Sequence, residues 1–342
     1  FGYNLNEVES RGYDDTLTSN SRANARLPLL TLNTVKTTTI NNSNVLSYNN
    51  SSLFKSKHGL DLLVGHEIYE TRNKINSMQV NYFPLGTKPD IAFANLGLAT
   101  PPVGLTQPKP SSSDIKSTSV SFFSRLSYKY DNRYYLTINF RADGSSLFGP
   151  DDSSPIPPTD PTNRKWGYFP SASLAWAFSR EKFMDNVNWL SDGKLRLSYG
   201  TAGNNRLQAY GYTTGYAPPS NAGYGLNDVL NYTLTLPTRL GNPSITWEKL
   251  TSKNLGIDLS LFKNRVTFTA DFYNNVTKDL LIDNKIPPTS GYTTQYQNLG
   301  TIRNRGVELQ LGGTVLNKKG FNWNANFNIA FNKNKIISLG KQ

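Results

Sequence analysis

Phe321-Asn322-Trp323-Asn324-Ala325-Asn326-Phe327-Asn328-Ile329-Ala330-Phe331-Asn332 decides the fold class. Apolar side chains stand at every odd position and asparagine at the even ones, interrupted only by Ala330. A period of two places one set on each face of an extended strand. The same pattern recurs upstream. Leu255, Ile257, Leu259 and Leu261 alternate with Gly256, Asp258 and Ser260, and Val266, Phe268, Ala270 and Phe272 with Thr267, Thr269 and Asp271. Val307, Leu309 and Leu311 oppose Glu308 and Gln310, while Tyr134, Leu136, Ile138 and Phe140 oppose Tyr135, Thr137, Asn139 and Arg141.

Composition agrees with an all-β chain. Aromatics reach 12% of 342 residues while charged residues are only 18%, a balance that suits pleated surfaces better than long solvated helices. With no cysteine, a disulfide framework and a Cys-based metal site are both excluded, and two histidines leave little for a His-based centre. No apolar run is long enough for a helical membrane span, which leaves a β-barrel open, because alternating strands keep mean hydropathy low. The formal charge of +12 is spread along the chain and gathers in short turns such as Lys263-Asn264-Arg265, so no nucleic-acid surface is expected.

One-sided alternation alone also fits a soluble sheet with one wet face. The joins separate the two cases. Read from residue 36, the pattern predicts about ten strands whose connections alternate short and long. Short joins fall at Ser56-Lys57, Asp131-Asn132, Lys263-Asn264 and Asn317 to Gly320; long polar stretches fall near 73–115, 146–165, 205–244 and 279–297. The join at 179–193 is intermediate, with a short helical turn around Glu181 to Trp189. Such asymmetry describes an antiparallel up-and-down transmembrane β-barrel of a Gram-negative cell outer membrane, short turns in the periplasm and long loops outside. Tyr128, Tyr130, Tyr134, Tyr135, Phe321, Trp323 and Trp247 stand at strand ends, where a headgroup girdle needs amphipathic rings. The apolar phase then faces outer-membrane lipid and the polar phase a lumen, placing Asp258, Asp271 and Glu308 inside. About ten strands make a narrow barrel that an asparagine ladder fills poorly, so a segment of a larger barrel is expected.

From Ser119 onward a series of blocks follows in order: Arg125-Leu126-Ser127-Tyr128, Arg133-Tyr134-Tyr135-Leu136, Arg141-Ala142-Asp143-Gly144-Ser145-Ser146-Leu147-Phe148 and Trp166-Gly167-Tyr168-Phe169-Pro170-Ser171. Next come Lys194-Leu195-Arg196-Leu197-Ser198-Tyr199-Gly200-Thr201-Ala202-Gly203-Asn204, Trp247-Glu248, Asn254-Leu255-Gly256-Ile257-Asp258, Asn298-Leu299-Gly300 and Asn304-Arg305-Gly306-Val307-Glu308-Leu309. In order and spacing this series resembles the SusC/RagA-type TonB-dependent outer-membrane transporters. The resemblance implies a barrel of about 22 strands around a plug, of which residues 1–342 form part of the barrel domain. The plug, TonB box and signal peptide are expected outside this chain. It also implies active import of a bulky nutrient, glycan or peptide, with TonB and a SusD-like surface lipoprotein as partners. A siderophore or vitamin receptor of the same barrel class, and a structural or adhesive barrel, are the alternatives.

The motif residues Arg141, Asp143, Gly144, Gly167, Pro170, Gly200, Gly203, Asn204, Trp247, Glu248, Asn298, Gly300, Asn304, Gly306 and Glu308 read as scaffold. Asp143-Gly144-Ser145-Ser146 ends a strand. Gly200 and Gly203-Asn204 stand at a rim and allow positive φ, and Asn304 and Gly306 precede a strand as a bulge or close approach. No nucleophile elbow, phosphate loop, zincin or EF-hand pattern is present, so no catalytic residue, metal, cofactor or enzyme activity is expected. Substrate contacts are expected on the long loops at Tyr210, Tyr212, Tyr216, Tyr224, Tyr292 and Tyr296, where aromatic faces can stack on sugars or peptides.

Overall fold

The computed structural model describes residues 1–53, 57–149, 165–214, 223–226, 229–232 and 239–340, with the backbone alone at 51–53, 223–226 and 229–232. The strands begin with β1 (Gly2–Asp14), β2 (Leu29–Leu53), β3 (His58–Val80), β4 (Ser111–Tyr130) and β5 (Tyr134–Ser145). They continue with β6 (Trp166–Trp176), β7 (Leu190–Asn204), β8 (Gly223–Leu226), β9 (Val229–Tyr232), β10 (Arg239–Leu240) and β11 (Glu248–Leu261). Last are β12 (Val266–Lys278), β13 (Leu281–Lys285), β14 (Thr294–Asn298), β15 (Thr301–Lys318) and β16 (Phe321–Ser338). Among the described residues, eleven strands form one sheet in the order β1-β2-β3-β4-β5-β6-β7-β11-β12-β15-β16. Neighbours in chain order pair antiparallel, an up-and-down topology with β1 and β16 at the two ends of the order. An unclosed sheet of this kind is a segment of a larger barrel.

Among the described residues the joins alternate as expected, with corrected limits; Ser56 of the expected short join Ser56-Lys57 lies outside them. Residues 131–133, 262–265 and 319–320 are tight turns, and long joins run over 15–28, 81–110, 146–165, 205–247 and 279–300. Asp131 and Asn132 both take positive φ, as do Phe262, Lys263 and Asn264, giving the turn hand that matches strand twist. The stretch 73–115 is less loop than its polarity suggests, because β3 runs on to Val80 and β4 starts at Ser111. Strand structure also begins well before residue 36. β1 registers with β2 from Gly2↔Asn41 to Asp14↔Leu29, yet the alternation of Tyr3 and Leu5 with Asn4 and Asn6 stops at Glu7, and Glu7 to Arg11 continue it on neither face.

The chain divides into two compact units. In the unit Phe1–Asn42 with Ile68–Thr118, Leu30 of β2 forms a buried cluster with Phe83 and Ala92 of the join 81–110. Gln107 holds that join by accepting from the Asn81 amide at 2.8 Å and donating to the Asn81 carbonyl at 2.8 Å.

In the unit Ser43–Glu67 with Ser119–Gln342, the two strand faces differ as the alternation requires. Leu195, Leu197 and Tyr199 of β7 are exposed on the apolar phase, whereas Lys194, Arg196 and Ser198 are half-buried on the polar phase. Rings mark two levels of the apolar face: Phe122 stacks on Trp166 at 6.2 Å and Phe140 on Tyr168 at 6.3 Å, and at the other end Tyr130 stacks on Tyr134 at 6.3 Å. From Phe122 to Tyr130 a strand advances about 27 Å, or about 20 Å once tilted, close to the height of an outer-membrane apolar band. Two rings leave this girdle. Tyr135 points inward, where Lys194 lies 5.4 Å over its face, and Trp247 is buried in the base of the long joins.

Candidate functional site

Most of the motif residues converge at the loop end of the sheet. Phe148, Phe169, Ile245 and Trp247 form a buried cluster, with Leu207, Tyr212, Leu281 and Tyr296 packed against it. Trp247 stands 5.1 Å from Phe148 and edge-on to Phe169 at 5.5 Å, and its Nε1 donates to the Lys165 carbonyl at 3.0 Å. These four side chains come from two different joins and one strand, so the cluster fixes where the loops leave the wall.

Gly167 and Gly203 serve this packing. Neither takes positive φ; a Cβ on either would overlap the Phe169 ring. Gly200 likewise lies within regular β7, where a Cβ would approach the Ser171 side chain at 3.0 Å. The expected conformational role of the β7 glycines is therefore corrected to one of close approach. Gly144 admits the indole of Trp166 at 3.1 Å. Of the motif glycines, only Gly300 adopts the left-handed region, at φ 85°.

Polar motif residues hold backbone. Asn298 accepts from the Thr246 amide at 2.8 Å and donates to the carbonyls of Thr246 and Asp279, both at 2.9 Å. Glu248 accepts from Asn204 at 3.3 Å and from the Leu281 amide at 3.1 Å. Ser145, in the strand-ending Asp143-Gly144-Ser145 segment, accepts from Asn205 at 3.1 Å and from the Leu147 amide at 3.2 Å. Above Ser171↔Gly200 no backbone pairing between β6 and β7 is found among the described residues. Pro170 sits at that point, without an N–H to give, and its carbonyl instead accepts from the Thr201 hydroxyl at 3.1 Å.

On the polar face, Arg196 reaches Asp258 at 2.7 Å and Asp271 at 3.1 Å, and Arg141 pairs with Asp143 at 2.8 Å while donating to Ser121. A cavity of about 550 Å³ lies over Arg125, Asn139, Arg141, Asp143 and Phe169. Glu308 is exposed and lines a second cavity of about 400 Å³ with Asp271, Gln310 and Asn328. Asn304 and Gly306 do not precede a strand but lie inside β15, in register with Asn275 and Tyr273. Gly306 is needed because a Cβ there would run into the backbone carbonyl of Phe331 on β16, with the Tyr273 hydroxyl beside it.

The six loop tyrosines part company. Tyr212 and Tyr296 are half-buried against the cluster, and Tyr296 also carries Arg239 at 4.3 Å over its ring. Tyr210 is exposed and Tyr292 half-exposed. Tyr216 lies outside the described residues, and Tyr224 is described only as backbone of β8. Sequence reasoning missed the small sheet β10-β14-β13, pinned by Arg239 to Asp283 at 2.7 Å, because its strands are too short to alternate.

The family profile described as TonB dependent receptor-like, beta-barrel, matches residues 1–340. The chain belongs to the TonB-dependent receptor β-barrel family. Among curated relatives, the TonB-dependent receptor P26 of Formosa agariphila is 34% identical over 307 residues, covering 90% of this chain and 28% of that protein. The TonB-dependent receptor SusC of Bacteroides thetaiotaomicron is 35% identical over 227 residues, covering 66% of this chain and 21% of its own. Among solved structures, the RagAB peptide transporter superposes with a TM-score of 0.80 at 27% identity, covering 98% of this chain and 34% of that one. The chain thus spans about a third or less of the relatives it matches. A TonB-dependent receptor barrel of the SusC/RagA type resides in the outer membrane of Gram-negative bacteria, which fixes the apolar face as lipid-facing and the tight turns as periplasmic.

Proposed function

We propose that this chain supplies wall and extracellular loops to an importer that moves a bulky nutrient, an oligosaccharide or a peptide, across the outer membrane under TonB coupling. What carries the reading is likeness over nearly the whole chain to the RagAB peptide transporter together with 35% identity to SusC. In this reading residues 1–342 are part of one barrel domain, and the remaining strands, plug and TonB box belong to other parts of the protein. A SusD-like surface lipoprotein covers the extracellular mouth. Tyr210 and Tyr292, the loop tyrosines with free ring surface among the described residues, face substrate, while Tyr212 and Tyr296 pack against the cluster. The motif residues are scaffold.

The test uses the full-length protein in its own bacterium. Deleting the gene should abolish growth on one glycan or peptide as the limiting nutrient. Restoring a copy without its TonB box should fail to rescue. Growth loss restricted to iron or cobalamin limitation, or full rescue by the copy lacking the TonB box, would overturn the proposal.

A further inference from the structure

Among the described residues, the joins at the periplasmic end are tight, except for residues 177–189 between β6 and β7. This segment folds back over the lipid-facing wall. Phe178 lies edge-on to Trp176 at 5.9 Å and fills the space that a Cβ on Gly193 would claim. Phe183 stands 6.4 Å from the same indole. Trp176 pairs in register with Tyr134, whose ring continues to Tyr130 on the apolar phase. Glu181 anchors the fold-back, accepting from the Tyr134 hydroxyl at 2.6 Å, the Trp176 indole at 3.1 Å and Arg133 at 3.1 Å.

The anchored segment leaves large rings uncovered. Phe183 is 65% exposed and Trp189 54%, and Arg180 and Lys182 are exposed beside them. A tight turn like 131–133 would have joined β6 to β7 without placing any of these side chains outside. The surface is continuous with the lipid-facing wall through Tyr130, Tyr134 and Trp176. Rings with basic neighbours at the end of a lipid-facing band match the boundary between acyl chains and phosphates.

We propose that residues 177–189 form an interfacial lip that docks on the periplasmic leaflet, with Phe183 at the acyl boundary and Arg180 and Lys182 on phospholipid phosphates. The basic side chains can reach outward while their stems lie along apolar surface. The lip holds the periplasmic rim of the wall at a set depth in the bilayer. This proposal stands independently of what the protein transports.

The full-length protein in phospholipid nanodiscs, in a cysteine-free background, tests it. An environment-sensitive dye is attached at Phe183→Cys and, in a separate sample, at Lys182→Cys, which disturbs no packing. Lys319→Cys, in the tight turn 319–320, is the aqueous reference. Both lip positions should show blue-shifted emission and quenching by acyl-brominated phospholipid several-fold above the reference, with little quenching by iodide. Iodide quenching equal to the reference at both positions, with no response to brominated lipid, would overturn the lip and leave a water-facing segment open to a periplasmic protein.

Discussion

The ring of Phe169 occupies the volume that a side chain on Gly203 would need. The two residues sit on β6 and β7 just above the last hydrogen-bonded pair of those strands. Gly203→Ala must therefore displace the ring from Trp247 rather than merely stiffen the strand. Overpacking of this kind costs about 1–3 kcal/mol. Denaturation of the full-length protein in lipid should show a lowered midpoint, and Gly97→Ala, at an open loop position, should leave it unchanged.

Asn298 replaces three backbone partners with one side chain. In Asn298→Ala the Thr246 amide and two carbonyls lose their partners, each buried group costing about 1–3 kcal/mol where water cannot reach it. Hydrogen exchange should accelerate in 241–247 and 279–300, while β11 and β12 keep their protection. Acceleration spread evenly over the sheet would contradict a local role.

Arg196 and its two aspartates are partly exposed, with side-chain accessibilities of 35%, 38% and 21%. Their coupling is screened accordingly. A double-mutant cycle of Arg196→Met with Asp258→Asn should return about 0.5–1 kcal/mol, in the range of exposed pairs. The glycine beneath them, Gly256, gives the guanidinium its place, since a Cβ would fall 2.7 Å from Cζ. Gly256→Val should thus push the flexible ends of Arg196 and Asp271 aside and cost about as much as removing the ion pair.

The Glu181 carboxyl lies below the usual glutamate range, first because Tyr134 donates to it, then because Trp176 does, with Arg133 adding charge attraction. A depressed carboxylate contributes stability above its unfolded value and loses it as pH falls through the folded one. Protection of amides in 177–189, corrected for intrinsic exchange, should fall on acidification below the ordinary carboxylate range. In Glu181→Gln that protection should already be low at neutral pH and change little with acid.

Much of the wall was legible because its two faces meet different solvents. Leu255 to Leu261 and Phe321 to Phe331 alternate, and the structure places them on strands in the expected phase. β1 was not legible, since Glu7, Val8, Glu9 and Ser10 give no sidedness and only pairing with β2 makes them a strand. Trp247 was misplaced for a related reason. A tryptophan at a strand end reads as girdle, and only the distant Phe148, Phe169 and Lys165 carbonyl show that it is loop core. The scaffold roles of Asn298 and Glu248 were foreseen in kind, but their partners lie dozens of residues away and leave no local mark.

The wall between β6 and β7 changes character at Gly200. Below it the strands share ladder hydrogen bonds from Ser171↔Gly200 to Trp176↔Leu195; above it they are joined by the Phe169 ring and one threonine hydroxyl. Aromatic contact resists separation without fixing a register, whereas a ladder does both. Parting the strands there breaks no backbone pairing, whereas the neighbouring join of β7 to β11 is paired up to Glu248↔Asn204. Trp247 reaches across from another join to the Lys165 carbonyl and closes the β6–β7 line from above, like a latch set 82 residues downstream of what it fastens.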